Sequence, residues 1–464
     1  MVQFGQFRGN ETVACTGLAH NGQKVLIFLV DHVMTQLIRN RNALLRWYSM
    51  ALLAAAAIVL FAFQWRAAVS VPFSDEFGFT SLYEDLMRDG YPGMRTLGTA
   101  YNGHIYSILY LLIWAVLFIG IPWKCLMFSQ VVLLLGTAVV ALRNIDSAGK
   151  WWSIAGATTA VVISVVSIRM WENLYWGMQI SAALGLLFAF LSFDQAGRYE
   201  GRKQDAAYVC RALLFAFLAL GSTGSGIIAM AVVCAWMGFK ASARRNLPHL
   251  FVVAIAAVLA AGLYTGATQI GSVHGDDVRP YVPDVANHGL HMLAHAVVDL
   301  EGKDPLARWV GFIVAGVTGA AGWFCLKNQD RRGQAFSFLL MVYAVLTIAG
   351  ISWARMKMGI WQPNASRYYL YVLPLAVGIF LALANSRSIF GVSLMFGMLL
   401  TVAANLVVAV DKEWGISPYR KGNMEIFRAE LCSNQLEGAD RPFNLADQPL
   451  RKIRVLYCRP EIMK

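Results

Sequence analysis

Two adjacent acids, Asp75 and Glu76, follow the first long hydrophobic run of the chain, in the sequence VPFSDEFGF. An ionised carboxylate so close to a membrane is costly unless it faces water or has a function. A carboxylate can act as a general base that takes a proton from an acceptor hydroxyl. Because neighbouring side chains of an extended stretch point to opposite sides, we assign this role to Asp75 and let Glu76 orient it or bind a cation. The alternative is a solvated pair in a loop.

The same acidic stretch closes with Asn102-Gly103-His104, directly before an apolar segment. Asn102 and His104 carry groups that can bind a phosphate or a sugar hydroxyl. His104 could instead cap the helix that follows. We therefore predict both as substrate-binding residues of the loop that holds Asp75.

A second group of residues suited to binding a sugar lies in WENLYWGMQ, residues 171–179, between two apolar segments. Trp171 and Tyr175 share one face if this piece is helical, and their rings can stack on the C–H faces of a sugar. Glu172 and Gln179 can bond to its hydroxyls, and an acid between membrane spans needs a partner or a water-filled cavity. We predict a sugar cavity here. For the aromatic residues the alternative is a membrane-interface belt.

Cations gather in SWARMKMGIWQPNASRYYLY, residues 352–371, which the topology below places outside, where cations need an explanation. Arginine pairs with phosphate through two parallel hydrogen bonds. We therefore predict that Arg355, Lys357 and Arg367, together with Tyr368, hold the phosphate of a lipid-linked donor. Contact with lipid headgroups is the alternative.

Three histidines in HGLHMLAH, His288, His291 and His295, share one face of a predicted helix. Their spacing could bind a metal, but no fixed carboxylate ligand accompanies them. We leave a metal site undecided and expect these residues to belong to an ordered external loop that shapes the acceptor site.

The seven cysteines contain no CxxC pair. Cys432 and Cys458 both fall in the polar C-terminal tail, where a disulfide is one of two open outcomes in an oxidising compartment. The chain also lacks the GxxxxGK[ST], HExxH and GxSxG patterns, which argues against nucleotide hydrolysis and a standard serine hydrolase.

The composition assigns the chain to the polytopic membrane proteins. Of its 464 residues, 58% are hydrophobic and only 14% are charged, whereas soluble domains carry about 25% charged residues. Apolar segments of near bilayer-spanning length recur, which predicts an all-α fold. The net charge of +12 comes mostly from Lys and Arg beside apolar segments, so it favours membrane topology and anionic lipids over nucleic acid as partners.

We predict about eleven transmembrane helices, with the N-terminus inside and the C-terminus outside. Residues 1–42 form a cytoplasmic lead-in without an evident cleavable signal peptide, and Met34 is an alternative start. Residues 43–410 form the transmembrane domain, and residues 411–464 form a short external segment. The predicted spans are about 43–65, 125–142, 151–168, 180–194, 209–221, 226–240, 249–266, 308–326, 335–352, 369–385 and 388–410.

The apolar segment 105–120 is predicted to be an interfacial or re-entrant helix of the first external loop, 66–124. Counting it as a span would place the later loops on the wrong sides by charge. With this choice every inward loop carries Lys or Arg, as the positive-inside rule requires. The short spans 209–221 and 226–240 meet at GSTGSG, which we predict to be an external turn buried in protein.

Together these features resemble the GT-C superfamily of membrane glycosyltransferases. The likeness rests on the acidic pair in the first external loop, the hydrophobic helix behind it, the number of spans and the outward C-terminal part. WENLYWGMQ and SRYYLY look like segments of bacterial enzymes that modify O-antigen or related surface glycans. Some metal-dependent relatives carry Asp-x-Asp where this chain has Asp-Glu, so a divalent cation, Mg²⁺ or Mn²⁺, stays open as a cofactor.

The resemblance implies an inverting enzyme of the bacterial inner (cytoplasmic) membrane, with an active site that faces the periplasm. It would move a single hexosyl or pentosyl group from a polyprenyl-phosphate carrier to a surface-glycan, lipid-linked or pilin-like protein acceptor. Asp75 would activate the acceptor hydroxyl. Arg355 and Arg367 would stabilise the leaving phosphate, which does not require a metal.

Two other functions would use the same residues. A flippase or transporter of lipid-linked sugars needs the same phosphate-binding cations and aromatic cavity. A surface-glycan polymerase or ligase would consume a diphosphate-linked oligosaccharide. The single acidic loop near the first span favours the monosaccharide transferase.

Overall fold

The computed structural model describes residues 43–69, 79–98, 100–101, 104–146, 150–271, 281–300, 304–355, 365–386, 388–433 and 458. The chain divides into two compact units, Met1–Leu52 and Leu53–Lys464. The first unit is described from residue 43 onward, where it is helical. The second unit holds all of the residues that form the candidate site.

Nearly all of the described chain is helical. In chain order the elements are α1 (Ala43–Ala67), α2 (Thr80–Arg88), α3 (Met94–Gly98), β1 (Ala100–Tyr101), β2 (His104–Ile105), α4 (Ser107–Ile119), α5 (Lys124–Leu142), α6 (Trp151–Val165), α7 (Trp171–Tyr175), α8 (Ile180–Arg198), α9 (Ala206–Leu220), α10 (Gly226–Ala243), α11 (Leu247–Gly271), α12 (Val282–His295), α13 (Asp304–Lys327), α14 (Arg332–Arg355), α15 (Tyr369–Ala384) and α16 (Ile389–Ser433). Within these residues ten helices are long and apolar enough to cross a membrane. This confirms the predicted all-α polytopic membrane protein.

The strands β1 and β2 form a short antiparallel hairpin in the first predicted external loop. Ala100 lies opposite Ile105, and Tyr101 lies opposite His104. The hairpin leads directly into α4, and both strands contact α11. It therefore fixes His104 at a defined place on the helical bundle.

The predicted spans agree closely with the helices, with α9 as the exception. This helix corresponds to the predicted span 209–221, but it has 15 residues and is not among the ten. At 1.5 Å per residue it is about 22 Å long, which is shorter than a bilayer core of about 30 Å. The segment 105–120 forms α4, which has 13 residues and is also too short to cross a bilayer. We predicted that this helix does not span the membrane.

The last helix, α16, is longer than predicted. The predicted span ends near residue 410, whereas α16 has 45 residues and continues to Ser433. Pro418 lies within it and removes the N–H that would bond to the carbonyl of Trp414. The hydroxyl of Ser417 donates to that carbonyl instead, at 3.0 Å. Glu413 is buried and pairs with Arg420, so the charged residues do not end the helix.

The centre of the bundle is formed by α8, α14 and α15. Phe190 of α8 meets Phe336 of α14 edge to face, with ring centroids 5.7 Å apart. Gly378 lets α15 approach α14 closely, because a Cβ there would lie 2.8 Å from Met341 Cγ. Small residues permit this close approach of membrane helices.

The loops predicted to lie inside meet at one end of the bundle, which we call the basic end. There Asn144 donates to Asp194 at 3.0 Å, Arg198 pairs with Asp194 at 2.8 Å, and the backbone N of Asp146 donates to Asn385 Oδ1 at 2.9 Å. The helices α8, α10 and α14 run from here to the opposite end. We call that end the aromatic end; it is formed by His104, residues 171–179, residues 221–226, Arg355 and residues 366–368.

Candidate functional site

The aromatic segment WENLYWGMQ interrupts the helical run between α6 and α8. After α6 ends at Val165, a 3₁₀ turn covers Ile168–Met170, α7 covers only Trp171–Tyr175, and a second 3₁₀ turn covers Gly177–Gln179. Gln179 thus lies at the last residue before α8. This break places several polar groups and aromatic rings at the aromatic end instead of along one helix face.

Two buried glutamines satisfy the backbone of this irregular segment. Gln64 of α1 donates from Nε2 to the carbonyl of Leu174 at 2.9 Å, and Gln130 of α5 donates to the carbonyl of Trp176 at 2.6 Å. Both glutamines are 1% exposed. Because an unpaired backbone carbonyl is costly in an apolar region, these bonds allow the chain to leave the helix here.

The carboxylate of Glu172 has a partner in Arg367, 195 residues further along the chain. Its Oε2 accepts a hydrogen bond from the backbone N of Arg367 at 2.9 Å, and its Oε1 lies 3.8 Å from Arg367 Nη1. The backbone N of Glu172 donates to Ser366 Oγ at 3.0 Å. The segments predicted to bind the sugar and the phosphate are therefore in direct contact.

The guanidinium of Arg367 is also held by aromatic rings. Its Cζ lies 5.8 Å from the ring centroid of Trp176 and 5.5 Å from that of Tyr368, within the range of a cation–π contact. Its side chain is 29% exposed. An arginine that is fixed in this way yet still reached by solvent is suited to contact an anion.

Arg420 is a member of the site region that the sequence did not reveal. Its Cζ lies 3.5 Å from the ring centroid of Trp171 and 5.9 Å from that of Tyr175, and it forms an ion pair with Glu413. Trp171 and Tyr175 meet edge to face at 5.8 Å. The aromatic rings predicted to contact a sugar thus have a cation from α16 against them.

A cavity of about 280 Å³ lies beside this group at the aromatic end. Its polar lining includes His104 from the hairpin, Arg355 from the end of α14, Tyr368 from the 3₁₀ turn before α15, and Tyr371 from α15. Three of these were predicted as binding residues from two separate parts of the sequence: His104 from the first loop, and Arg355 and Tyr368 from residues 352–371. The fold brings them to one place.

The position of His104 is set by the GSTGSG turn between α9 and α10. The backbone N of Gly224 donates to His104 Nδ1 at 2.9 Å, and the backbone N of Ile108 donates to the carbonyl of Gly221 at 3.0 Å. Burial, and then the charge of Arg355, lower the pKa of His104 to about 4. The imidazole is therefore neutral near pH 7, with its proton on Nε2, where it can donate to a ligand.

The rest of the wall is mostly apolar, although Ser225, Thr347 and Tyr264 also line it. Its apolar lining comes from Ile227 and Ile228 of α10 and from Gly350, Ile351 and Ala354 of α14. A cavity with an arginine, a histidine and tyrosines on one part and aliphatic side chains on the other fits a ligand that is itself polar at one end and apolar at the other.

The described part of the first loop is ordered by Asp85. Its Oδ2 accepts hydrogen bonds from the backbone N of Gly93 at 2.8 Å and from Thr96 Oγ1 at 2.6 Å. Phe79, at the start of this part, packs edge to face on Tyr101 and Tyr110, with centroid distances of 5.2 Å to each. Asp85, a buried acid of this loop, thus has a structural role.

Four predicted site residues lie outside the described residues. They are Asp75, Glu76, Asn102 and Lys357. The catalytic role of the acidic pair and the contributions of Asn102 and Lys357 therefore stay predictions from the sequence.

The three histidines of α12 are buried on a face of that helix. His288 Nδ1 lies 3.1 Å from Ser352 Oγ of α14, and His291 Nδ1 lies 2.8 Å from the carbonyl of Asn287. Burial lowers the pKa of His288 to about 4 and that of His295 to about 3. Among the described residues no group of three or more His, Cys, Asp or Glu side chains could hold a metal ion.

Arg169 is a second residue that the sequence did not reveal. It is 4% exposed, and its Nη2 donates to the carbonyl of His295 at 2.8 Å. Its Cζ lies 4.5 Å from the ring centroid of Tyr369. Because His295 ends α12, the arginine neutralises the carbonyl dipoles at this C-terminus and ties α12 to the broken segment.

Cys432 and Cys458 form a disulfide, with their Cα atoms 5.5 Å apart. Cys432 lies near the end of α16, and Cys458 is a single described residue of the C-terminal part. The sequence alone left this pairing open. The two cysteines are 26 positions apart in the sequence.

Comparison with known proteins does not assign this chain to a family. No protein-family model matches the chain, and no curated protein matches it. The candidate site therefore rests on the contacts described above: a broken aromatic segment joined to Arg367, and a cavity that His104, Arg355 and Tyr368 share.

Proposed function

We propose that this protein is a GT-C-like membrane glycosyltransferase that moves a single sugar from a polyprenyl-phosphate carrier to a glycan, lipid or protein acceptor. The observation that carries the proposal is the shared cavity. His104 comes from the first loop, whereas Arg355 and Tyr368 come from the last third of the chain. The first loop carries the acid Asp75, and the last third of the chain carries Arg355 and Arg367. A carboxylate near arginines supports acid–base chemistry on a phosphorylated substrate.

The chemistry of the cavity supports a lipid phosphate as the donor. Arg355 can hold a phosphate oxygen, and the neutral His104 can donate a hydrogen bond from Nε2. The apolar side chains of α10 and α14 suit the first part of an isoprenoid chain. Ligand cavities usually range from about 300 to 1,000 Å³, and 280 Å³ is near the lower end, as expected for a headgroup with part of its chain.

In the proposed reaction, Asp75 takes the proton of an acceptor hydroxyl while that oxygen attacks the anomeric carbon of the donor sugar. A new C–O glycosidic bond forms, and the bond between the anomeric carbon and the phosphate oxygen breaks. Polyprenyl phosphate leaves with the bonding electron pair, and Arg355 and Arg367 stabilise its added charge. Attack from the side opposite the phosphate inverts the anomeric configuration.

The aromatic segment supports the placement of the sugar. Trp171 offers a partly exposed ring, Tyr175 packs edge to face on it, and Glu172 holds Arg367 beside them through its ion pair. We propose that the sugar lies between these rings and the cavity of His104. The basic end would face the cytoplasm by the positive-inside rule, so the aromatic end would face the periplasm of a bacterial inner membrane.

The decisive experiment measures release of polyprenyl phosphate from a labelled polyprenyl-phosphate sugar by purified protein in detergent, with an acceptor extract present. Asp75→Asn should lower the rate about 10²–10⁴-fold, the usual loss for a general base. Asp89→Asn is the matched control, because Asp89 lies in the same loop but is exposed and pairs with Arg88. Its rate should stay close to that of the unaltered protein.

The same assay separates the other functions. A flippase would leave the donor intact in detergent and would move it only between two membrane-bounded compartments. A polymerase or ligase would consume a diphosphate-linked oligosaccharide and ignore the monosaccharide donor. Full activity of Asp75→Asn would reject the assignment of the base even if the transfer itself is observed.

A further inference from the structure

A second cavity lies at the basic end of the bundle, opposite the candidate site. Its volume is about 700 Å³, and it lies between the C-terminal ends of α8 and α10 and the turn before α14. A helix of 18 residues, α10, separates the two cavities by about 27 Å at 1.5 Å per residue. The charged residues that line the cavity are Arg198, Arg202, Lys240, Arg244, Glu200 and Asp330.

The four cations of this cavity are only partly neutralised by its two acids. Arg202 pairs with Glu200 at 2.6 Å. Lys240 Nζ lies 3.6 Å from Asp330, whose side chain is 97% exposed, so solvent weakens this pair. In the described part of the chain Arg244 has no side-chain hydrogen bond or ion pair. The excess positive charge therefore lies at Lys240 and Arg244.

Two buried polar atoms of the lining also lack hydrogen-bond partners within the described residues. They are Arg198 Nε, a donor, and Gln329 Oε1, an acceptor. The guanidinium of Arg198 is held in place because its Nη2 bonds to Asp194 at 2.8 Å. A ligand that satisfies both atoms presents an acceptor to the arginine, such as an anionic oxygen, and a donor to the glutamine, such as a hydroxyl.

We propose that the cavity at the basic end binds a phosphate ester that carries hydroxyl groups. Arg244, Lys240 and Arg198 hold the phosphate, and Gln329 accepts from a hydroxyl of the esterified alcohol. The ester is either the headgroup of a membrane phospholipid, such as phosphatidylglycerol, or a water-soluble ester such as glycerol phosphate. This inference is independent of the reaction proposed at the aromatic end.

The test measures binding to purified, delipidated protein in detergent without phosphate buffer. One arm titrates phosphatidylglycerol and follows bound lipid by native mass spectrometry, and the other titrates glycerol 3-phosphate and follows heat of binding. We expect saturable binding in one arm. The double variant Lys240→Gln with Arg244→Gln should weaken it at least about tenfold, because a hydrogen bond to a charged group contributes about 1.5–3 kcal/mol.

Arg211→Gln is the matched control, since Arg211 is an exposed arginine near the start of α9 that does not line the cavity. Its affinity should equal that of the unaltered protein. The single variant Arg244→Gln, at an exposed position, keeps the test valid if the double variant does not purify as a monodisperse species. Absence of binding in both arms, or equal affinity of Arg244→Gln and the unaltered protein, would overturn the proposal.

Discussion

The backbone N–H of Gly224 donates to the Nδ1 atom of His104 at 2.9 Å, across 120 residues of sequence. This bond joins the hairpin of the first loop to the turn between α9 and α10. It also decides which nitrogen of His104 carries the proton, since a ring nitrogen that accepts from a backbone N–H must be unprotonated. One glycine thus sets both the place and the tautomer of a cavity residue.

The first prediction concerns the space at Gly224. A Cβ there would lie 2.3 Å from His104 Nδ1, so Gly224→Ala should displace the imidazole and lower the free energy of unfolding by about 1–3 kcal/mol through the lost bond. Gly350→Ala is the control within the same cavity, because its Cβ would meet Ile228 at an ordinary 3.9 Å. Thermal unfolding in detergent measures both. Equal unfolding midpoints of the two variants would show that the contact with His104 is unimportant.

The second prediction concerns pH. Burial lowers the pKa of His104 from 6.5 to about 4, so the unfolded chain takes up a proton at a higher pH than the folded protein does. The stability contributed by the neutral imidazole is complete above about pH 6.5 and is lost as the pH falls toward about 4. His104→Asn, whose Oδ1 can accept from Gly224, should therefore make the loss of stability below pH 6.5 shallower.

This comparison has an internal reference. His288 and His295 also have pKa values lowered by burial, so the His104→Asn protein should retain a residual dependence on pH in the same window. Unfolding midpoints between pH 4.5 and 7.5 give the two profiles. If the profiles run parallel, His104 takes up no proton on unfolding in this range, and the cavity does not lower its pKa.

The third prediction concerns the ion pair of Glu172 and Arg367. Glu172→Gln and Arg367→Gln should each lower stability, because each leaves the partner's charge in a partly buried place. The double variant should recover part of the loss, with a coupling free energy of about 0.5–3 kcal/mol. A thermodynamic cycle of the four proteins by chemical denaturation measures it.

The pair of Lys421 and Glu425 on α16 is more exposed and provides the comparison for this cycle, with a distance of 3.8 Å. Pairs at this helical spacing contribute about 0.3–0.5 kcal/mol. The same cycle at Lys421 and Glu425 should give the smaller coupling. A coupling at Glu172 and Arg367 no larger than this would mean that the contact between the two segments does not depend on the ion pair.

The membrane helices could be predicted because a helix that crosses a bilayer needs a run of about 20 apolar residues, which is visible in the local sequence. The predicted span 125–142 is the helix Lys124–Leu142, and no knowledge of its neighbours was needed. The same reasoning failed at the end of α16. The charged residues after position 410 indicate a polar tail by composition. In the structure Glu413 pairs instead with Arg420 two turns further along the same helix, and the helix continues to Ser433.

The candidate site could be predicted in its residue types but not in its pairings. An acid between two spans requires a partner, yet nothing local indicates that the partner of Glu172 is Arg367 rather than Arg355. Arg355 instead lines the cavity with His104. Arg420 was missed for a related reason: its contact with Trp171 depends on how α16 packs, and the sequence near Arg420 shows only an ordinary charged stretch.

The last prediction concerns the break in the helix at residues 171–179. Gln64→Met and Gln130→Met replace side chains of similar length but leave the carbonyls of Leu174 and Trp176 without their donors. Each should lower the free energy of unfolding by about 1–3 kcal/mol, the usual cost of a buried unpaired polar group. Thermal unfolding in detergent gives the size of the effect.

The control for the glutamines is Ser129→Ala on α5, because Ser129 is exposed and its hydroxyl donates to the carbonyl of Cys125 within its own helix. This variant should change stability by no more than about 0.5 kcal/mol. If the glutamine variants behave like Ser129→Ala, the irregular backbone is satisfied in another way. The contacts of Gln64 and Gln130 indicate that the break at Trp171, Glu172 and Tyr175 depends on α1 and α5. That result would contradict this dependence.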